Sequence, residues 1–155
     1  MWNNGLEQWN TKGSLLCSSA DEMIAYGKDL ASLMTESMTV ALYGELGSGK
    51  TTLAKGIISS LTGTSEHDVT SPTFQYVHLY EGLERHIAHF DLWRLERKES
   101  FVASGFDELC VDLALIEWPE RIRELLPRDT MVIVIEVMGE GRQVTVYPQL
   151  EMSGR

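Results

Sequence analysis

The sequence predicts an α/β domain of three layers, with helices on both faces of a central sheet that is parallel in its middle and antiparallel at its hairpins. Three observations carry this reading. Residues 38–43 (Met-Thr-Val-Ala-Leu-Tyr) form a mostly apolar run, as expected of a strand buried on both faces, and they pass directly into a glycine-rich turn. Residues 112–116 (Asp-Leu-Ala-Leu-Ile) form a second such run, closed by the acid Glu117. Two pairs of β-rich runs, 73–80 with 85–93 and 131–138 with 142–147, are each joined across a short glycine-containing turn, the pattern of hairpins.

Taken in order, residues 14–17 (Ser-Leu-Leu-Cys) read as a short first strand. Ser18 and Ser19 then supply helix caps, and Asp21 and Glu22 place negative charge in the first turn, where the helix dipole favours it. The helix they open is expected over about 20–35, because Met23, Ile24, Gly27, Leu30, Ala31 and Met34 recur at helical spacing. After the 38–43 strand and its glycine turn, a helix is predicted from Thr51 to Leu61, with Gly63 at its end. The hairpin 73–80 with 85–93 turns at Glu81-Gly82-Leu83-Glu84. A short helical stretch follows at about 98–104 and closes at Gly105. Beyond Glu117, Pro119 sits where the first turn of a helix tolerates proline, so a helix to about residue 126 is expected before the last hairpin.

The chain has 155 residues, enough for one core and short for two, so a single domain over 1–155 with its core at about 14–148 is predicted. Hydrophobic residues make up 43% and charged residues 23%, far from the composition of disorder. A net charge of -10 repels a phosphate backbone and argues against general nucleic-acid binding by this chain alone. Arg121, Arg123 and Arg128 are the densest basic cluster and read as a solvated helix face. Cys17 and Cys110 lie far apart and suggest neither a disulfide framework nor a zinc knuckle. His67, His78, His86 and His89 lack ligand spacing, and His86 and His89 read as strand residues. No apolar run approaches the roughly 18 residues that would span a bilayer. The opening Met-Trp-Asn-Asn-Gly-Leu-Glu lacks a signal-peptide pattern, so a cytoplasmic protein is expected.

The chemistry concentrates in Gly44-Glu45-Leu46-Gly47-Ser48-Gly49-Lys50-Thr51, a complete G-x-x-x-x-G-K-[ST] pattern between a predicted strand and a predicted helix. This is the pattern of a P-loop. Its glycines let successive backbone N–H groups face an anion, and the following helix presents its positive end to the same point. Glu45 through Thr52 are therefore the predicted phosphate cradle, with Lys50 reaching the β- and γ-phosphates and Thr51 ligating Mg²⁺ through its hydroxyl. Such a site needs acids at strand ends, and Asp91 and Glu117 are the candidates. From Glu117 a carboxylate would hold Mg²⁺ directly or through water; Asp91 would help position the metal or orient the attacking water. Trp118 beside Glu117 suits a nucleotide base, a partner protein or the core equally.

Four blocks in this order, Gly44 to Thr52, Ser71-Pro72-Thr73-Phe74, His89-Phe90-Asp91-Leu92-Trp93-Arg94-Leu95 and Glu117-Trp118-Pro119, closely resemble the bacterial TsaE family. Its members are ATPases required for the threonylcarbamoyladenosine modification of tRNA. The resemblance spans roughly residues 15–147 and implies ATP and Mg²⁺ as cofactors, TsaB and TsaD as partner proteins, and tRNA reached through their complex. It also implies that Lys50 is the phosphate-binding lysine, Thr51 and Glu117 the magnesium-linked residues and Asp91 a residue needed for hydrolysis. Ser71-Pro72-Thr73 then takes the place of a switch-like loop, and Ser18-Ser19-Ala20 lies toward the adenine edge. Gln75-Tyr76 and Trp93 depart from the family's usual Thr-Leu and Tyr, away from the phosphate chemistry.

Two other readings compete with the ATPase. A small-molecule or nucleotide kinase would need an acceptor pocket and an arginine-bearing lid, for which no insertion is evident. A GTP-dependent switch would need an N-K-x-D segment, which the chain lacks, so ATP is the expected nucleotide. No arginine finger stands out, although Arg94 is an internal candidate, and hydrolysis completed by partners is expected.

Overall fold

A computed structural model describes residues 13–34, 37–82 and 85–147. The predicted helix end at residue 35, the turn residues Leu83 and Glu84, residue 148 and the opening segment fall outside the described residues. Seven strands form one sheet: β1 (Gly13–Cys17), β2 (Met38–Gly44), β3 (Val77–Glu81), β4 (His86–Asp91), β5 (Leu113–Glu117), β6 (Met131–Met138) and β7 (Gly141–Tyr147). Their spatial order is β1-β7-β6-β2-β5-β4-β3. The four central strands β6, β2, β5 and β4 run parallel, while β3, β7 and β1 pair antiparallel at the flanks. This is the mixed sheet expected from the sequence.

Alternation along the strands divides the core in two. Val40 and Leu42 of β2, with Leu113 and Leu115 of β5, face the helices α1 (Ala20–Ala31) and α2 (Lys50–Thr62). Ala41 and Ile116 face the opposite layer, built around Phe90, Leu92 and Phe101 with α3 (Lys98–Ala103). Each fully buried aliphatic or aromatic side chain removes apolar surface worth about 1.5–3 kcal/mol, so the two clusters clamp the sheet from both sides. α1 begins as predicted: the Ser19 hydroxyl accepts from the Glu22 amide at 3.1 Å, and the Glu22 carboxylate accepts from the Ser18 amide. It ends at Ala31, with a turn at Ser32, and so is shorter than the apolar spacing suggested.

Two helices meet without side chains between them. A Cβ added to Gly27 of α1 would strike the Leu53 carbonyl oxygen and come within 3.1 Å of Gly56 Cα; one added to Gly56 of α2 would strike the Ile24 carbonyl oxygen. Glycine is required at both positions for the backbones to approach this closely.

Two segments depart from the sequence reading. Residues 73–76 are a turn, not the first half of a strand, because Tyr76 takes a left-handed φ of 67° and its amide bonds the Pro72 carbonyl at 2.7 Å. Asp91 captures the hydroxyls of Ser71 and Thr73, and that side-chain tether outweighs the β-propensity of Thr73-Phe74. Residues 119–125 form a 3₁₀ segment broken at Ile122, not an α-helix. Its entry residue Trp118 has φ 59° and ψ 49°, and no side chain caps its start.

Candidate nucleotide site

All the sequence-predicted site residues lie at the carboxyl ends of the parallel strands, where ligands of open α/β sheets bind. β2 ends at Gly44, and the chain turns through Glu45 to Gly49 before α2 starts at Lys50. Gly47 (φ 79°) and Gly49 (φ 106°) hold left-handed conformations that a side chain would oppose, and these two glycines aim the loop backbone inward. Ser48 is fully buried under Gly44, where an added Cβ would lie 3.2 Å from Ser48 Cβ. The exposed Leu46 marks the outer tip of the loop.

Lys50 is buried at the mouth of this loop. Its ammonium donates to the carbonyls of Gly44 at 2.6 Å and Glu45 at 2.9 Å, and it stands 4.0 Å from the centroid of the Trp118 ring. Burial pulls its pKa below the ordinary lysine value; Glu117, Glu120 and Asp91 oppose that shift. The lysine thus rests on neutral acceptors that a phosphate oxygen would outcompete, since charge-assisted contacts are the stronger ones.

At the next residue of α2, the Thr51 hydroxyl donates to Glu117 at the end of β5, 3.0 Å from Oε1 and 2.9 Å from Oε2. Glu117 is 3% exposed, and its Oε2 also accepts from Nε2 of His89 at 2.6 Å. Register explains the meeting, because Asp91 pairs with Glu117 across β4 and β5 and His89 lies two residues earlier on the same face. Asp91 is buried as well, and its carboxylate accepts from Ser71, from Thr73 at 3.1 Å and from the Trp93 amide at 3.0 Å. The two acids therefore have separate partners: Glu117 belongs to α2, and Asp91 to the turn 71–76.

A hydroxyl and a carboxylate side by side at the end of a phosphate loop are hard oxygen donors of the kind Mg²⁺ takes. Among the described residues no group of three or more His, Cys, Asp or Glu forms a metal cage. An ion here would need phosphate oxygens and water to complete its shell, as Mg²⁺ does in nucleotide sites. The donor set fits that ion.

Beside the loop, a cleft of about 170 Å³ runs from Gly47, Ser48, Gly49 and Thr52 to Ser19, Ala20 and Met23 of α1. The turn between β6 and β7 forms its far wall, where Arg142 donates to the Gly141 carbonyl at 2.9 Å and reaches the Gly47 carbonyl at 3.5 Å. Ser19 and Ala20 thus line the cleft, while Arg94 stands apart, with its guanidinium 4.3 Å from the exposed Phe74 ring. Trp118 packs on Trp93 with ring centroids 4.4 Å apart, and Arg121 donates to the Trp93 carbonyl at 3.1 Å.

The sequence reading missed His89, Ser71 and Thr73 as partners of the acids, and Arg142 as a wall of the cleft. A usable signal existed for His89: in His-Phe-Asp the histidine and the acid share one face of a strand. Arg142 sits in a distant hairpin, and its approach to the loop follows only from the strand order.

Comparison with known proteins decides the family. The sequence profile described as "Threonylcarbamoyl adenosine biosynthesis protein TsaE" matches residues 17–144. This chain belongs to the TsaE family. A TsaE of Treponema pallidum is 36% identical over 132 residues, covering 83% of this chain and 95% of that protein. One from Haemophilus influenzae is 30% identical over 141 residues, covering 84% and 85% of the two chains. Both carry the name "tRNA threonylcarbamoyladenosine biosynthesis protein TsaE". The crystal structure of YdiB from Bacillus subtilis superposes with a TM-score of 0.67 over 88% of this chain and 84% of that one, at 24% identity, which shows that the two share this α/β fold. No helix among the described residues of this TsaE-family chain is long and apolar enough to cross a membrane.

Proposed function

We propose that this TsaE-family chain binds Mg²⁺-ATP in the loop 44–51 and hydrolyses it as a subunit of the machinery that makes threonylcarbamoyladenosine in tRNA. The observation that carries the reading is the contact of Thr51 with Glu117, which joins the phosphate loop to a buried strand-end acid. The names of the curated relatives supply the pathway.

Binding would draw the Lys50 ammonium from the Gly44 and Glu45 carbonyls onto the β- and γ-phosphates. The Thr51 hydroxyl, whose proton is directed at Glu117, would offer a lone pair to the cation, and Glu117 would hold the cation's water shell. When bound, the cation would supply charge neutralisation at the phosphate oxygens. Asp91 would orient the attacking water, and to do so it would loosen its hold on Ser71 and Thr73. The cleft between Ser19, Met23 and Arg142 offers room for the nucleoside. TsaB, TsaD and tRNA would complete the site, and the protein alone would turn over slowly.

ATP turnover measured with and without TsaB, TsaD and substrate tRNA tests the proposal. Phosphate release that rises when the partners are added supports it. A phosphorylated small molecule among the products would assign the chain to the kinases instead, and failure to bind Mg²⁺-ATP at all would sink both.

A further inference from the structure

His89 is wholly buried, and its Nδ1 has no hydrogen-bond partner among the described residues, while its Nε2 meets Glu117 Oε2 at 2.6 Å. A residue that only filled this space would be better made of carbon, because a leucine or phenylalanine leaves no nitrogen orphaned in the core. The Tyr80 ring lies 6.5 Å away and closes the outer side. A carboxylate can only accept, so the shared proton sits on Nε2 and the histidine is the donor.

The two oxygens of Glu117 are not equivalent. Oε2 accepts from both His89 and Thr51, whereas Oε1 accepts from Thr51 alone among the described residues. Thr51 has a single proton to divide between the two oxygens and can meet a cation through a lone pair, whereas His89 donates to Oε2 alone. The carboxylate is therefore held more firmly at Oε2 than at Oε1.

We infer that His89 is a positioning residue for the magnesium site: its Nε2–H anchors Oε2 of Glu117, so that Oε1 faces the cation's water shell in a fixed orientation. This rests on the Mg²⁺-nucleotide reading of the loop and deepens it, in the way that partners of metal-linked carboxylates tune a site from outside. His89 touches neither nucleotide nor metal. Its effect passes entirely through the orientation of one carboxylate.

A pair of amides separates the hydrogen bond from packing. His89→Gln puts an amide donor close to the place of Nε2, and His89→Asn reaches only as far as Nδ1. Binding of a fluorescent ADP analogue to the full chain would be followed in EDTA and through a Mg²⁺ series, with urea unfolding in parallel. His89→Asn should bind the analogue normally in EDTA but need about 10- to 100-fold more Mg²⁺ for half-effect, with His89→Gln restoring most of the loss. Asparagine and glutamine variants that share the wild-type Mg²⁺ dependence, or shift it equally in step with their loss of stability, would overturn the inference. A wild-type chain whose nucleotide binding ignores Mg²⁺ would instead bring down the underlying reading.

Ring ¹⁵N spectra of the unaltered protein give an answer that needs no variant to fold. A proton on Nε2 that persists through Mg²⁺-ADP addition, with Nδ1 bare, is the expected pattern. A bare Nε2 in the nucleotide-free protein would overturn the assignment.

Discussion

The ammonium of Lys50 lies 4.0 Å from the centroid of the Trp118 ring, against the one aromatic side chain that follows the buried acid Glu117 directly in sequence. Trp118 holds a left-handed backbone to be there, a conformation that costs a non-glycine residue about 1–3 kcal/mol and that tends to occur at functional sites. Moving the lysine onto a phosphate removes a cation from this indole. Nucleotide binding should therefore change tryptophan emission, and Lys50→Ala should weaken ATP binding by about 10- to 100-fold, the worth of a charged hydrogen bond. Titration of the analogue against both proteins checks this.

The same lysine sets a pH dependence. Burial lowers its pKa from the ordinary 10.5, so in the free protein it loses its proton at a lower pH than a surface lysine. Only the charged form attracts phosphate. ATP affinity should be steady below that lowered pKa and fall as pH rises through it, before 10.5 is reached. Affinity measured across the alkaline range in wild type and Lys50→Arg reads the effect, and the arginine variant should remain flat.

Asp91→Asn should separate binding from turnover. Its carboxylate holds Ser71 and Thr73 and is the acid nearest the switch-like turn, so hydrolysis should drop by roughly 100-fold or more while ATP affinity changes little. Limited proteolysis gives a second readout: the turn bearing the 78%-exposed Phe74 should be cut faster once the tether is weakened. Equal cleavage of both proteins would show that the turn does not depend on Asp91.

Gly56→Ala tests the crossing of α1 and α2. Helix propensity alone would make alanine the better residue by about 1 kcal/mol. Here its methyl would strike the Ile24 carbonyl oxygen, and overpacking of this kind costs about 1–3 kcal/mol or more. The urea midpoint should fall, and a rise would mean that the helices separate freely.

Arg142→Ala should lower nucleotide affinity without altering its Mg²⁺ dependence, because Arg142 lines the cleft beside Gly47 and stands away from Thr51 and Glu117. Calorimetry with ADP, with and without Mg²⁺, distinguishes the two effects.

Much of this was legible in the chain itself. The buried strands 38–43 and 112–116 announce themselves by continuous hydrophobicity, and the P-loop by glycines whose positions the anion dictates. Asp91 and Glu117 were placed by ending apolar runs, and the strand register sets them side by side. What stayed hidden depended on contacts between distant residues. The turn at 71–76 has the composition of a strand, and only Asp91, some 20 residues away, bends it. The 119–125 segment has a proline start suited to a helix, but Ile122 leaves helical geometry as its side chain is buried in the cluster around Phe90 and Phe101. His89 reads only as a strand residue because one strand cannot reveal what its neighbour presents.

The bare crossing of Gly27 and Gly56 has a mechanical result. The glycine-rich loop rides on one helix and the proposed nucleoside cleft is bordered by the other, and the two meet backbone to backbone, so this flank behaves as the fixed jaw of a vice. Backbone movement when a triphosphate arrives or departs is then expected in the opposite jaw, where Tyr76 and Trp118 sit in left-handed conformations.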